Sequence, residues 1–71
     1  MIDRNSKEAI QKWVEESLAK SVENNRITAE ESKKLMDIAK PMIAAGLWRG
    51  DISEKWMSLG YTTADIYDLY P

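Results

Sequence analysis

Apolar residues recur at three- and four-residue steps from residue 10 onward. Ile10, Trp13, Val14, Leu18 and Val22 fall on one stripe of a helix. Asn5, with Glu8 three positions on, marks its start. Asn24-Asn25 marks its end, because Asn tolerates the left-handed conformation in which helices stop. The spacing predicts a helix over 6–23. Ser17 and Ser21 lie inside the stripe, and side chains that small let another helix approach closely. The opposite face carries Glu8, Lys12, Glu16 and Lys20 at four-residue steps. It reads as a solvated surface on which each pair adds about 0.2–0.5 kcal/mol.

Thr28-Ala29-Glu30-Glu31 is a capping box opening a second helix. Leu35, Ile38, Ala39, Met42, Ile43 and Gly46 hold a single helical stripe straight through Pro41. That persistence predicts one helix over 29–45, kinked at Pro41. Proline there falls on the polar face, so the carbonyl it leaves unpaired, that of Asp37, turns to water and the bend is convex toward solvent. The other reading stops the helix at Lys40 and restarts it with Pro41 in a first turn. Gly46 ends the element, and Leu47-Trp48-Arg49-Gly50 forms a connector whose Leu and Trp are expected to fold back onto the core.

Asp51 with Glu54 suggests a third start, and Ile52, Trp56 and Leu59 share a stripe up to Gly60. Thr62 with Asp65 suggests a fourth, whose inward side carries Ile66, Leu69 and Tyr70. The expectation is an all-α single domain over 1–71, a small bundle of about four helices covering 6–23, 29–45, 52–59 and 63–69. The last two, joined at Gly60, resemble a helix-turn-helix. That likeness spans about twenty residues and rests on one glycine and a spacing of apolar residues; it points to no particular family.

The charges of that hairpin oppose DNA reading. A recognition helix places residues near its start on base edges. Here they are Thr63, Ala64, Asp65, Tyr67 and Asp68, with no Lys or Arg, and the two aspartates repel phosphates. Trp56 is also bulky where such motifs want a small residue for close crossing. Net charge is −2, and its distribution says more than its sum. Residues 1–50 hold nine basic and eight acidic side chains, whereas residues 51–71 hold one and four. Five of the six Trp and Tyr residues also lie from Trp48 onward. An acidic, aromatic last third is a poor surface for nucleic acid and a plausible one for a protein.

Seventy-one residues sit near the lower edge of what folds alone. With no Cys and no His, disulfides and the common zinc ligands are absent, as are the usual acyl-transfer nucleophile–base pairs. The three glycines sit at turns and form no phosphate loop. Acid–base work by paired carboxylates needs a dry cleft, which four short helices rarely enclose. No cofactor and no metal are expected, and no enzymatic activity. The longest stretch without charge, Pro41 to Trp48, has eight residues, far short of the ~18 that suggest a membrane span. The start carries no apolar signal-peptide core. A soluble, cytoplasmic protein is the expectation, with no membrane partner.

What remains is a small protein-interaction module, a regulator or inhibitor that binds a protein partner through its last third. A homodimer is a variant of that reading, and a DNA-binding regulator is the alternative. Trp48, Met57, Tyr61, Asp65, Tyr67 and Asp68 are the candidate partner-binding residues, because Tyr and Trp anchor interfaces and flexible Met adapts to them.

Overall fold

Among the described residues three helices follow one another: α1 over Lys7–Glu23, α2 over Ala29–Ala44 and α3 over Arg49–Ser58. The computed structural model describes residues 6–67 and Leu69. Asn5, Asp68 and Tyr70, each given a part by the sequence, lie outside the described residues.

Local chemistry fixes most of the boundaries. Ser6, not Asn5, caps α1, its hydroxyl accepting from the Ala9 N–H at 3.2 Å. Thr28 and Glu31 form the reciprocal box that opens α2. Each helix closes through the same pair of bonds. At α1, Asn25 takes φ 58°, its N–H reaching Val22 O and the Arg26 N–H reaching Ser21 O. Gly46 closes α2 with bonds to Ile43 O and, from Leu47, to Met42 O. Gly60 closes α3 with bonds to Met57 O and, from Tyr61, to Trp56 O. Helix α2 runs unbroken through Pro41, which faces water.

The start of α3 differs from the sequence reading. Trp48, in an extended conformation, holds the cap position in place of Asp51. Asp51 reaches back from the third helical position, its carboxylate accepting from the Trp48 N–H at 3.3 Å. One acidic side chain serves either position, and here it draws Arg49 and Gly50 into the helix.

The core gathers Ile10, Trp13, Val14 and Leu18 of α1, Leu35, Ala39 and Ile43 of α2, and Ile52 and Trp56 of α3. Trp13 and Trp56 stack with centroids 5.5 Å apart and planes 21° from parallel. Such pairs add about 0.5–1.5 kcal/mol beyond the area they bury. The Arg49 guanidinium carbon stands 5.9 Å from the Trp13 ring centre, a cation over the face of the stack. Leu59, expected on the inward stripe, is instead half exposed. It is the last residue before Gly60 turns the chain away, so no further turn of helix covers it. Leu47 and Trp48 likewise stay outside, 39% and 55% exposed.

Among the described residues the expected fourth helix over 63–69 is not formed, and the helix-turn-helix outline that needed it is not confirmed. Its start is formed: Asp65 accepts from both the N–H and the hydroxyl of Thr62, each at 3.0 Å, and the Ile66 N–H reaches Thr62 O at 3.0 Å. A helix would next join the Tyr67 N–H to Thr63 O. The Tyr67 N–H instead bonds the buried Ser21 hydroxyl at 2.8 Å, and that hydroxyl donates to Ser17 O at 2.8 Å. The Arg26 guanidinium also bonds Ala64 O. The small serines do allow close approach, but what approaches α1 is bare backbone. Ile66 and Leu69 then enter the core from a single turn and its continuation.

Candidate functional site

The last turn of α3 and the chain after it lie beside α2 and leave an open groove of about 410 Å³. Leu35 and Ile38 of α2 meet Leu59 and Tyr61 of the opposite side, while Lys34 and Asp37 stand with them on the lining. These α2 residues recur at three- and four-residue steps, so one helical turn presents them together. Leu59 is 50% exposed, so the groove offers apolar surface to solvent along one side.

Tyr61 is placed by the closure of α3. It is the residue after Gly60, and its own N–H is tied to Trp56 O at 3.3 Å. Its hydroxyl donates to Glu31 Oε2 at 2.9 Å, while Glu31 Oε1 accepts from the Thr28 N–H at 3.0 Å. One carboxylate thus caps α2 and anchors the chain that leaves α3. The Thr28 backbone bond first, and the Tyr61 bond second, hold the Glu31 carboxyl below its ordinary pKa. Partial burial first, and the Glu31 carboxylate second, push the Tyr61 hydroxyl above its own.

The residues singled out in the sequence fall in different places. Tyr61 lines the groove. Trp48 is exposed at the start of α3, its ring lying over Gly50, where an added Cβ would sit 3.6 Å from it. Met57 is half-buried and packs against the core. Asp65 is occupied by Thr62. Tyr67 is 53% exposed, with its backbone held by Ser21. Asp68 lies outside the described residues. Of the described ones among these, Tyr61 alone is on the groove lining.

The sequence reading missed Ile38, Leu59, Lys34 and Asp37 as site residues. Periodicity assigned Ile38 and Leu59 to the core, and it cannot tell a buried position from one at the edge of a stripe. The available signal was Leu59 standing directly before a helix-stopping glycine. Among the described residues, no group of three or more potential metal ligands is assembled. No described helix is long and apolar enough to cross a membrane. Compared with protein-family models, curated proteins and solved structures, the chain shows no match.

Proposed function

We propose that the protein is a small, non-enzymatic interaction module, a regulator or inhibitor that occludes part of a protein partner. The observation that carries this reading is the groove between α2 and the end of α3, where Leu59 and Tyr61 face Ile38 across apolar surface open to solvent. Its volume is within the ~300–1,000 Å³ range of small-molecule clefts. An open side, however, is a poor way to bury most of a small ligand and a good way to receive a side chain from another protein. Exposed Trp48 and Tyr67 extend the aromatic surface available to a partner.

The DNA-binding alternative draws less support, since residues 63–67 form no helix that could enter a groove. Arg49, a cation otherwise available to phosphate, lies over Trp13. The test is affinity capture from the source cells with the intact chain and with Leu59→Ser. The expected outcome is a protein retained by the intact chain and lost with the variant, while both melt at the same temperature. The same captured set from both, or salt-dependent binding to random duplex at ~50 mM salt, would overturn the proposal.

A further inference from the structure

The chain beyond Tyr61 is fastened differently from the rest of the molecule. Tyr61 itself is fixed to α3 by its N–H and to α2 by its hydroxyl. From Thr62 onward, among the described residues, no main-chain hydrogen bond reaches a helix. Two side chains hold the backbone instead. The Tyr67 N–H donates to the Ser21 hydroxyl at 2.8 Å, and the Arg26 guanidinium donates to Ala64 O. Both come from one place, the last turn of α1 and the connector behind it. Ile66 and Leu69 add two buried side chains to the core. The one regular piece here is the turn that joins the Asp65 and Ile66 N–H groups to Thr62 O. It does not stand by itself, because isolated helices shorter than ~12–15 residues are marginal in water. Its order therefore depends on docking, whereas α1 and α2 carry hydrogen-bond ladders of their own. Segments fastened so sparsely open at lower cost than the core they lie on.

We infer that residues 62–67 and Leu69 form a strap that opens as one unit, hinged just after Tyr61, while the three helices stay folded. Ser21 and Arg26 are its fasteners. Closed, the strap seals the core through Ile66 and Leu69 and keeps the Ser21 hydroxyl from water. Open, it uncovers that hydroxyl and the apolar surface beneath Ile66 and Leu69 without unwinding a helix. Exposed Tyr67 travels with it. Opening of this kind needs no partner, but it sets how much apolar interior the molecule shows to one.

Amide exchange of the full chain, followed by nuclear magnetic resonance at rising sub-denaturing urea, tests this. The Ile66 amide is bonded within the strap and the Tyr67 amide across to Ser21. Both should exchange through a single opening, at least about tenfold faster than the Leu18 and Leu35 amides once intrinsic rates are removed. Their dependence on urea should be shallower, since opening the strap exposes far less surface than unfolding. Arg26→Ala, at an exposed side chain, should speed both strap amides by one common factor of about two to ten, the loss of a single hydrogen bond. The chain has no Cys, so one introduced thiol gives an independent reading. Ile66→Cys should react with a thiol reagent at urea concentrations, set relative to each variant's own melt, where Val14→Cys on α1 does not.

Ile66 and Tyr67 amides as protected as those of Leu18 and Leu35, with the same urea slope, overturn the inference, because the segment then opens only with the whole fold. Tyr67 exchanging while Ile66 stays protected also overturns it, because the segment then frays and does not move as a unit. So do equal reactivity of the two thiols, and unequal or absent acceleration in Arg26→Ala. None of these readouts involves a partner, so they fail or succeed separately from the capture experiment.

Discussion

Replacing Ser21 by Ala isolates the bond that stands where a fourth helix was expected. The Ser21 hydroxyl is fully buried and joins two groups, accepting from the Tyr67 N–H and donating to Ser17 O, both at 2.8 Å. Alanine fills nearly the same space, so the loss is polar and not a cavity. The Ser17 carbonyl keeps its helical role, whereas the Tyr67 N–H is left facing a methyl group. An unsatisfied, partly buried donor costs about 1–3 kcal/mol. A 71-residue domain has roughly 4–11 kcal/mol in all at 0.05–0.15 kcal/mol per residue, so the loss is a large share. With a urea m-value of about 1 kcal/mol/M, the unfolding midpoint falls by about 1–3 M at constant m. Ser17→Ala is the control, because Ser17 enters this network through its backbone carbonyl, which alanine retains. It should cost less than Ser21→Ala, because it leaves the Tyr67 N–H paired. Amide exchange at Tyr67 should accelerate in Ser21→Ala and not in Ser17→Ala. Equal midpoints for Ser21→Ala and the parent, or equal losses for the two variants, would refute the claim that this hydroxyl holds the last segment in place.

Three other perturbations follow from the same structure. Ser53 is buried in α3 with no hydrogen-bond partner for its hydroxyl among the described residues, so Ser53→Ala should raise stability by about 1 kcal/mol in urea unfolding; a loss would mean the hydroxyl is satisfied. Pro41 lies inside α2 and faces water. The ~3 kcal/mol handicap of an internal proline, offset by ~0.4–1 kcal/mol of unfolded-chain entropy, predicts that Pro41→Ala raises the melting temperature by about 10 °C, and a lower one would count against it. The Glu31–Tyr61 bond should fade at both ends of the pH scale. Glu31 is depressed in the folded state, so its contribution is present above the ordinary value of 4.5 and lost as pH falls through the lower folded pKa. Tyr61 is raised, so its contribution is present below 10.0 and lost as pH rises through the higher folded pKa. Melting curves across pH should lose the acid limb of this dependence in Glu31→Gln and the alkaline limb in Tyr61→Phe; unaltered limbs would dissociate the pair from stability.

What the sequence made legible was short-range. Asn25, Gly46 and Gly60 stop helices within a few residues, and Thr28 with Glu31 starts one within a single turn, so neighbours along the chain suffice. The three helical stripes were readable because burial repeats with the helical period. The segment after Gly60 escaped for the opposite reason. Its start at Thr62 and Asp65 has the same residue pattern as that of α2, and its apolar spacing suits a helix. The competitor is a hydroxyl on Ser21, 46 residues earlier, which local pattern does not register. The groove was hidden in the same way. Tyr61 was singled out by residue type, but Leu59 and Ile38 look like core until the path of the chain beyond Gly60 is known. Lys34 and Asp37 look like any solvated helix face until the groove is seen beside them.

The partition of the indoles makes the molecule its own pair of optical gauges. Two of its three tryptophans, Trp13 and Trp56, are locked face to face in the interior, and the third, Trp48, stands in water. Coupled transitions of the locked pair contribute a near-ultraviolet signal that vanishes when the helices separate. The emission of Trp48 alone is open to a dissolved quencher while the fold is intact. A binding partner that shields Trp48 would therefore be visible without any label, and a fall in quenching with an unchanged near-ultraviolet signal would separate docking from unfolding in one cuvette.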